Sequence, residues 1–83
     1  MRAETRTVRL TYDSDTDMGY LYLQEIPPGG VEHTEALVVD TAGGRRLINL
    51  DFDASGILIG IEFDGARAAL PAALLVDRSL SDD

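Results

Sequence analysis

Residues 48–63, INLDFDASGILIGIEF, constrain the fold more than any other stretch of the chain. One reading is a calcium loop of the EF-hand kind, with Asp51, Asp53 and Ser55 at alternate places, Gly56 sixth and Glu62 twelfth. Such a loop needs a helix on each side. Here the incoming segment GGRRLINL opens with two glycines, and the outgoing ILIGIEF is β-branched with Gly60 in its middle. Both are poor helices. The other reading is a β-hairpin turning on Asp53–Gly56. Phe52 then faces Ile57, Leu50 faces Ile59, Ile48 faces Ile61, and Phe63 extends the same apolar row. Leu47, Asn49, Asp51, Leu58, Gly60 and Glu62 fall on the opposite face. A slip of one residue would mix the two faces. In the hairpin Glu62 lies well over roughly 10 Å from the turn, at about 3.3 Å per residue, so it cannot close a cage around an ion held there. Asp53 and Ser55 read instead as turn formers that accept from nearby backbone N–H groups.

The remaining elements follow from period and punctuation. TRTVRLTY (5–12) alternates with period 2 and reads as a first strand. DSDTD (13–17) is a turn by composition. MGYLYLQEI follows, apolar on both sides, as an interior strand. PPGG (27–30) stops any ladder or helix. A third strand runs over about 34–40, TAGG turns the chain, RRLINLDFD is the fourth strand and ILIGIEF the fifth. GARAALPAALLVDRSL is rich in Ala and Leu and favours helix. Pro71 divides it into a short helical turn and a second helix whose Ala72–Val76 would dock on the sheet. The fold class expected is α+β: an antiparallel sheet of about five strands in hairpins, with a short C-terminal helical segment packed on it. One domain spans 1–83, with its core over about 5–76 and a flexible acidic tail over 77–83.

Charge and composition exclude several functions. The chain has 83 residues and a net charge of −8. Between Leu10 and Thr41 there is no Lys or Arg, against seven carboxylates at Asp13, Asp15, Asp17, Glu25, Glu32, Glu35 and Asp40. Such a surface repels phosphate backbones and anionic lipid, so neither nucleic acid nor membrane is expected as a partner. No apolar run approaches the roughly 20 residues of a membrane span, and the N-terminus lacks the apolar core of a signal peptide. The expected location is the cytoplasm. There is no Cys and a single His, so neither disulfides nor a thiolate or multi-histidine metal site can support so small a core. No cofactor is expected.

YDSDTDMGYLYL, followed by INLDFDASGILIGIEF and then Leu70-Pro71, resembles the small proteins of domain of unknown function family 2283. The positions that carry the resemblance are Tyr12, Asp13, Asp17, Tyr20, Leu50, Asp51, Asp53, Gly56, Gly60, Ile61 and Glu62, and it spans roughly Leu10 to Pro71, most of the chain. The segment 27–46 carries none of it. The resemblance implies a compact, mostly-β domain with a C-terminal helical piece and no particular activity. Gly19 departs from the pattern, where an Ala or larger apolar residue belongs, and implies a looser second strand.

Glu62 is the one candidate catalytic residue, a general base or ligand beneath the helices. The alternative is a structural carboxylate paired with Arg45, Arg46 or Arg67. Asn49, Asp51, Gly60 and Glu62 are the candidate ligand-binding residues, with Gly60 opposite Asn49 and leaving room beside it. No metal is expected; Asp13, Asp15, Asp17 and Asp53 are the only positions where a turn could hold a cation loosely. His33 reads as an exposed loop residue, and no Ser or Cys nucleophile accompanies it. Tyr12 and Tyr20 are expected to pack across the first hairpin. The balance leans against an enzyme. One short helix cannot cover both faces of five strands, so either the sheet curls or a second copy covers it. The expectation is a homodimer or larger assembly, and a non-catalytic interaction module that binds another protein. The alternatives are a small-molecule binder or acid–base enzyme using Glu62, and weak cation binding at the Asp turns.

Overall fold

A computed structural model describes residues 2–76. Five strands form one antiparallel sheet: β1 (Arg9–Asp13), β2 (Met18–Tyr22), β3 (His33–Thr41), β4 (Gly44–Phe52) and β5 (Leu58–Asp64). A helix, α1 (Ala66–Ala69), and a 3₁₀ turn (Ala72–Leu75) follow. The order across the sheet is β1-β2-β5-β4-β3, so β5 is central and β1 and β3 are its edges. The fold class is the one the residue pattern implies. Residues 2–8 carry no regular structure, so the first strand is shorter than its alternation suggests. The acidic tail proposed for 77–83 lies outside the described residues. No helix among the described residues is long and apolar enough to cross a membrane.

The β4–β5 hairpin keeps its two faces by an unexpected route. Asp53 N–H donates to the Ile57 carbonyl at 2.9 Å, and Gly56, at φ 82°, closes the turn by donating to Asp53 O. The loop therefore closes one residue later than the 52/57 pairing. That alone would turn apolar side chains outward. A bulge at Ile59 then adds a second single-residue slip, because Phe52 pairs with Leu58 but Asp51 with Gly60. The two slips sum to two residues, and period-2 faces are restored. Leu50 faces Ile61 and Ile48 faces Phe63, in place of Ile59 and Ile61. Ile57 drops out of the strand and is 57% exposed.

Register carries the same faces across the sheet. Leu10, Leu21, Ile61 and Leu50 form one apolar row, and Tyr12, Gly19, Phe63, Ile48 and Leu37 the next. The opposite, polar face carries Thr11, Tyr20, Glu62, Asn49 and Ala36 in one row, and Arg9, Tyr22, Gly60, Asp51 and Thr34 in another. Tyr12 and Tyr20 thus lie on opposite faces, and do not pack on each other; Tyr20 packs instead against Tyr22, ring centroids 4.7 Å apart.

α1 lies on the apolar face at one end. A Cβ on Gly19 would stand 3.2 Å from Ala66 Cβ and 3.6 Å from Leu70 Cδ1, so the missing side chain is what admits the helix. Gly19 is buried and paired on both sides rather than loosening β2. The helix sits opposite Glu62, not above it. After Pro71 the chain makes only the 3₁₀ turn, with Ala72, Ala73, Leu74 and Val76 exposed instead of docked.

A polar latch joins α1 to the first hairpin. Asp17 has a left-handed backbone (φ 58°), a conformation Asp tolerates better than most residues. This turns its carbonyl toward Ala66 N–H (2.9 Å) and its Oδ1 toward Arg67 N–H (2.9 Å). Tyr12 Oη also donates to Asp17 Oδ1 at 2.8 Å, and Arg67 Nε donates to Tyr12 Oη at 3.2 Å. The Arg67 backbone N–H, then the Tyr12 hydroxyl, hold the Asp17 carboxyl below its ordinary value of 3.8. A lowered folded pKa contributes stability above the unfolded value, lost as pH falls below it because the unfolded chain takes up the proton first. Asp17→Asn should therefore unfold more easily than the wild type at neutral pH. In urea melts from pH 7 to pH 2.5 the gap should hold until about pH 4 and narrow below it. A gap that does not change with pH would show that the charge on Asp17 contributes nothing.

Candidate functional site

The candidate residues converge on the polar face around the one position of β5 that lacks a side chain. Gly60 is buried between Tyr22 on β2 and Asp51 on β4. The Tyr20 ring, from the neighbouring row, lies across it. A Cβ on Gly60 would overlap the phenol, with Cζ at 2.6 Å and Cε1 at 2.7 Å. The room at Gly60 is therefore filled by an aromatic ring of the same chain. Neither Asn49, which pairs with Glu62, nor the helix approaches it.

Passing over Gly60, Tyr20 Oη reaches β4 and donates to Asp51 Oδ2 at 2.5 Å. Asp51 Oδ1 accepts from Thr34 Oγ1 on β3 at 2.6 Å. One chain of hydrogen bonds thus crosses from β2 over β5 to β4 and β3. Beside it, Glu62 Oε1 accepts from Asn49 Nδ2 at 2.9 Å. Glu62 is half-buried, and its partner is an amide rather than any of Arg45, Arg46 or Arg67. At the β1 edge, Arg9 stacks over the Tyr22 ring, its guanidinium carbon 3.8 Å from the centroid. Burial, then the hydrogen bond to Asp51 and the charges of Asp51 and Glu62, push the Tyr20 phenol well above the ordinary tyrosine value of 10.0.

The structure brings together four of the residues singled out in the sequence, Asn49, Asp51, Gly60 and Glu62, and adds Tyr20 and Thr34. The Asp turns stand apart from this cluster. Asp13 Oδ1 accepts from Asp15 N–H at 2.9 Å, and Asp53 Oδ1 accepts from Ser55 and Ile57 N–H, each at 2.9 Å. Asp17 closes the latch to α1. No three His, Cys, Asp or Glu side chains converge as a metal cage among the described residues. His33 opens β3, where Nε2 stands 3.1 Å from Glu35 Oε1. The cluster's chemistry is that of two anchored carboxylates on an open sheet face. Asp51 is committed to two hydroxyl donors, and Glu62 to an amide. The Tyr20–Asp51 bond could be foreseen only from a tyrosine, a glycine and an acid recurring together, because the register between β2 and β5 is set by contacts far apart in sequence.

Residues 9–67 match the model of a family described as "Protein of unknown function (DUF2283)". No curated protein matches the chain, and no solved structure does.

Two measurements test the cluster. Gly60→Ala should cost about 2–3 kcal/mol in chemical denaturation, since the added methyl must displace the ring or the strand. In a Tyr20→Ala background the same change should cost much less, and equal costs would show that the ring does not fill the site. In a spectrophotometric titration, one of the three tyrosines should stay protonated well beyond pH 10, and Tyr20→Phe should remove that component. The sign is fixed: a raised folded pKa gives stability that is intact up to the ordinary value and declines as pH rises past it.

Proposed function

The chain belongs to the DUF2283 family of proteins of unknown function, and from that premise we propose that it is a non-catalytic, self-associating interaction module whose apolar sheet face is covered by a second copy. One observation carries the reading. Among the described residues only Ile59 and Ala66 are fully buried apolar side chains, while Leu10, Leu21, Ile48, Leu50, Ile61 and Phe63 are half-exposed on one face. The chain exposes 6356 Å², against about 4,900 Å² for a compact protein of its mass. The extended residues 2–8 and the open sheet both contribute to that surplus. A large apolar face on a chain that small is the mark of an interface.

Electrostatics favours the same arrangement. Of the strand residues facing the apolar side, only His33, Glu35 and Arg46 could carry a charge near neutral pH, and all three are on β3 and β4. Asp13, Asp15, Asp40 and Asp53 lie in or beside the turns, away from that face. Two copies can therefore meet without opposing their acidic residues, and the acidic rim left outside suits a basic protein partner. The reading takes the protein to be cytoplasmic, in keeping with a chain that has no Cys.

Light scattering behind a sizing column should give about twice the 9.0 kDa chain mass, and Leu37→Glu/Val39→Glu should shift it to the single-chain mass with the strand signal in circular dichroism intact. A wild type that stays at the single-chain mass up to millimolar concentration would overturn the proposal.

A further inference from the structure

We propose that the two copies exchange their C-terminal 3₁₀ turns, Leu74 and Val76 of each chain seating on the uncovered half of the other's apolar face. This rests on the self-association proposed above and names the segment that makes it.

Two unsatisfied surfaces occur in the same chain. The first is the segment after Pro71. Pro71 has an extended backbone (φ −58°, ψ 137°), and this turns the chain away from the direction of α1. The 3₁₀ turn that follows packs against α1 and has no comparable packing against any strand. It leaves Leu74 56% and Val76 66% exposed, among the most exposed large apolar side chains of the described residues. The run Ala72-Ala73-Leu74-Leu75-Val76 is all apolar, and of it only Leu75 is half-buried.

The second is the middle of the apolar face. α1 occupies the end marked by Gly19, and Arg46 reaches it there, its Nε donating to Ala68 O at 3.3 Å. At the other end of the sheet the connection from β2 to β3 passes β5 and β4 to reach the far edge. It is tied down where Leu23 N–H donates to Ile59 O (3.0 Å) and Glu32 N–H to Phe52 O (2.8 Å). Away from α1, among the described residues, the row Leu10–Leu21–Ile61–Leu50 is only half-buried and the outer Leu37 is exposed.

An apolar arm without a groove and an apolar groove without an arm complement each other across a two-fold axis, where each copy gives one and receives one. A stable interface removes about 800 Å² from each partner. The chain exposes 6356 Å² in all, so an interface of that size is available to it. The occupant is a second copy because the arm has the chemistry the groove needs and brings no charge with it.

The natural absence of Cys makes the test clean. Leu37→Cys and Leu74→Cys are made as separate single variants, mixed, and oxidised. Exchange predicts a disulfide joining the two different variants, formed faster than in either variant alone. In parallel, Leu74→Ser/Val76→Ser should raise the dimer dissociation constant at least about a hundredfold, because four apolar side chains leave the interface. Those residues lie outside the sheet, so circular dichroism should be unchanged. A wild-type monomer would overturn both this inference and the function proposed above. A wild-type dimer that survives Leu74→Ser/Val76→Ser, with no preferred 37–74 disulfide, would overturn the exchange alone.

Discussion

Parity along β5 is the constraint on which the rest of the structure depends. In a strand, each side chain's face is decided by whether its position is odd or even. Being central, β5 transmits its assignment to four other strands. The turn at Asp53–Ile57 closes in a register that would put Ile61 and Phe63 on the wrong side of β4, and the bulge at Ile59 reverses the error within three residues. Ile59, the extra residue, is 1% exposed and the largest fully buried side chain among those described. A bulge ordinarily weakens a ladder locally. Here that cost is offset by burying the bulged side chain, and the compensation preserves one apolar and one polar face.

Once the faces are fixed, two glycines and two tyrosines join the first hairpin to the rest. Gly19 on the apolar side lets α1 approach, and Gly60 on the polar side lets Tyr20 lie across the central strand. Each close approach is secured by an aspartate that a tyrosine reaches: Tyr12 with Asp17 at the helix, Tyr20 with Asp51 on β4. The pairing of β2 with β5, which joins residues some forty apart in sequence, thus has two long-range side-chain bonds that hold only in the observed register, Tyr20 Oη to Asp51 Oδ2 and Arg67 N–H to Asp17 Oδ1. Tyr12, Asp17, Tyr20, Asp51 and Gly60, five of the eleven motif positions, are parts of this double attachment. They describe how the fold is held, which is why recognising them conveys architecture and no reaction.

The sequence made the face assignment legible and left the register hidden, and the difference is physical. Ile48, Leu50, Ile61 and Phe63 were placed on one face correctly because period 2 survives any slip of two residues. Which residue opposed which was wrong throughout that hairpin, since alternation carries no information about a bulge. A glycine in mid-strand signals a close neighbour at Gly60, but Tyr20 arrives from a strand whose pairing no local pattern reports. The helical segment is visible in its composition. Its face is not, because Gly19, which by itself signals only a weak point in β2, is the seat that decides it. The 3₁₀ turn after Pro71 shows the limit most plainly: an Ala- and Leu-rich run favours helix, yet without a tertiary surface beneath it a segment this short gains little by extending.

That last failure bears on how little of its own surface the chain covers. A domain of this length buries only roughly 60–65% of the surface its unfolded chain exposes, and here no disulfide can make up the difference. The sheet could have closed by curling β1 toward β3. It remains open instead, with β1 and β3 at its two edges. Closure is hindered by the edges themselves. β1 pairs over five residues and β3 over nine, so joining them would leave much of β3 unpaired. β3 is exposed along its whole length, with Leu37, Val38 and Val39 in its middle. An edge of that kind invites uncontrolled pairing unless something occupies the space beside or above it. A copy seated on the apolar face would cover the Leu37 and Val39 side of that edge and leave the charged turns in water. The feature that makes one chain look incomplete is thus also the one that would limit where a partner can sit.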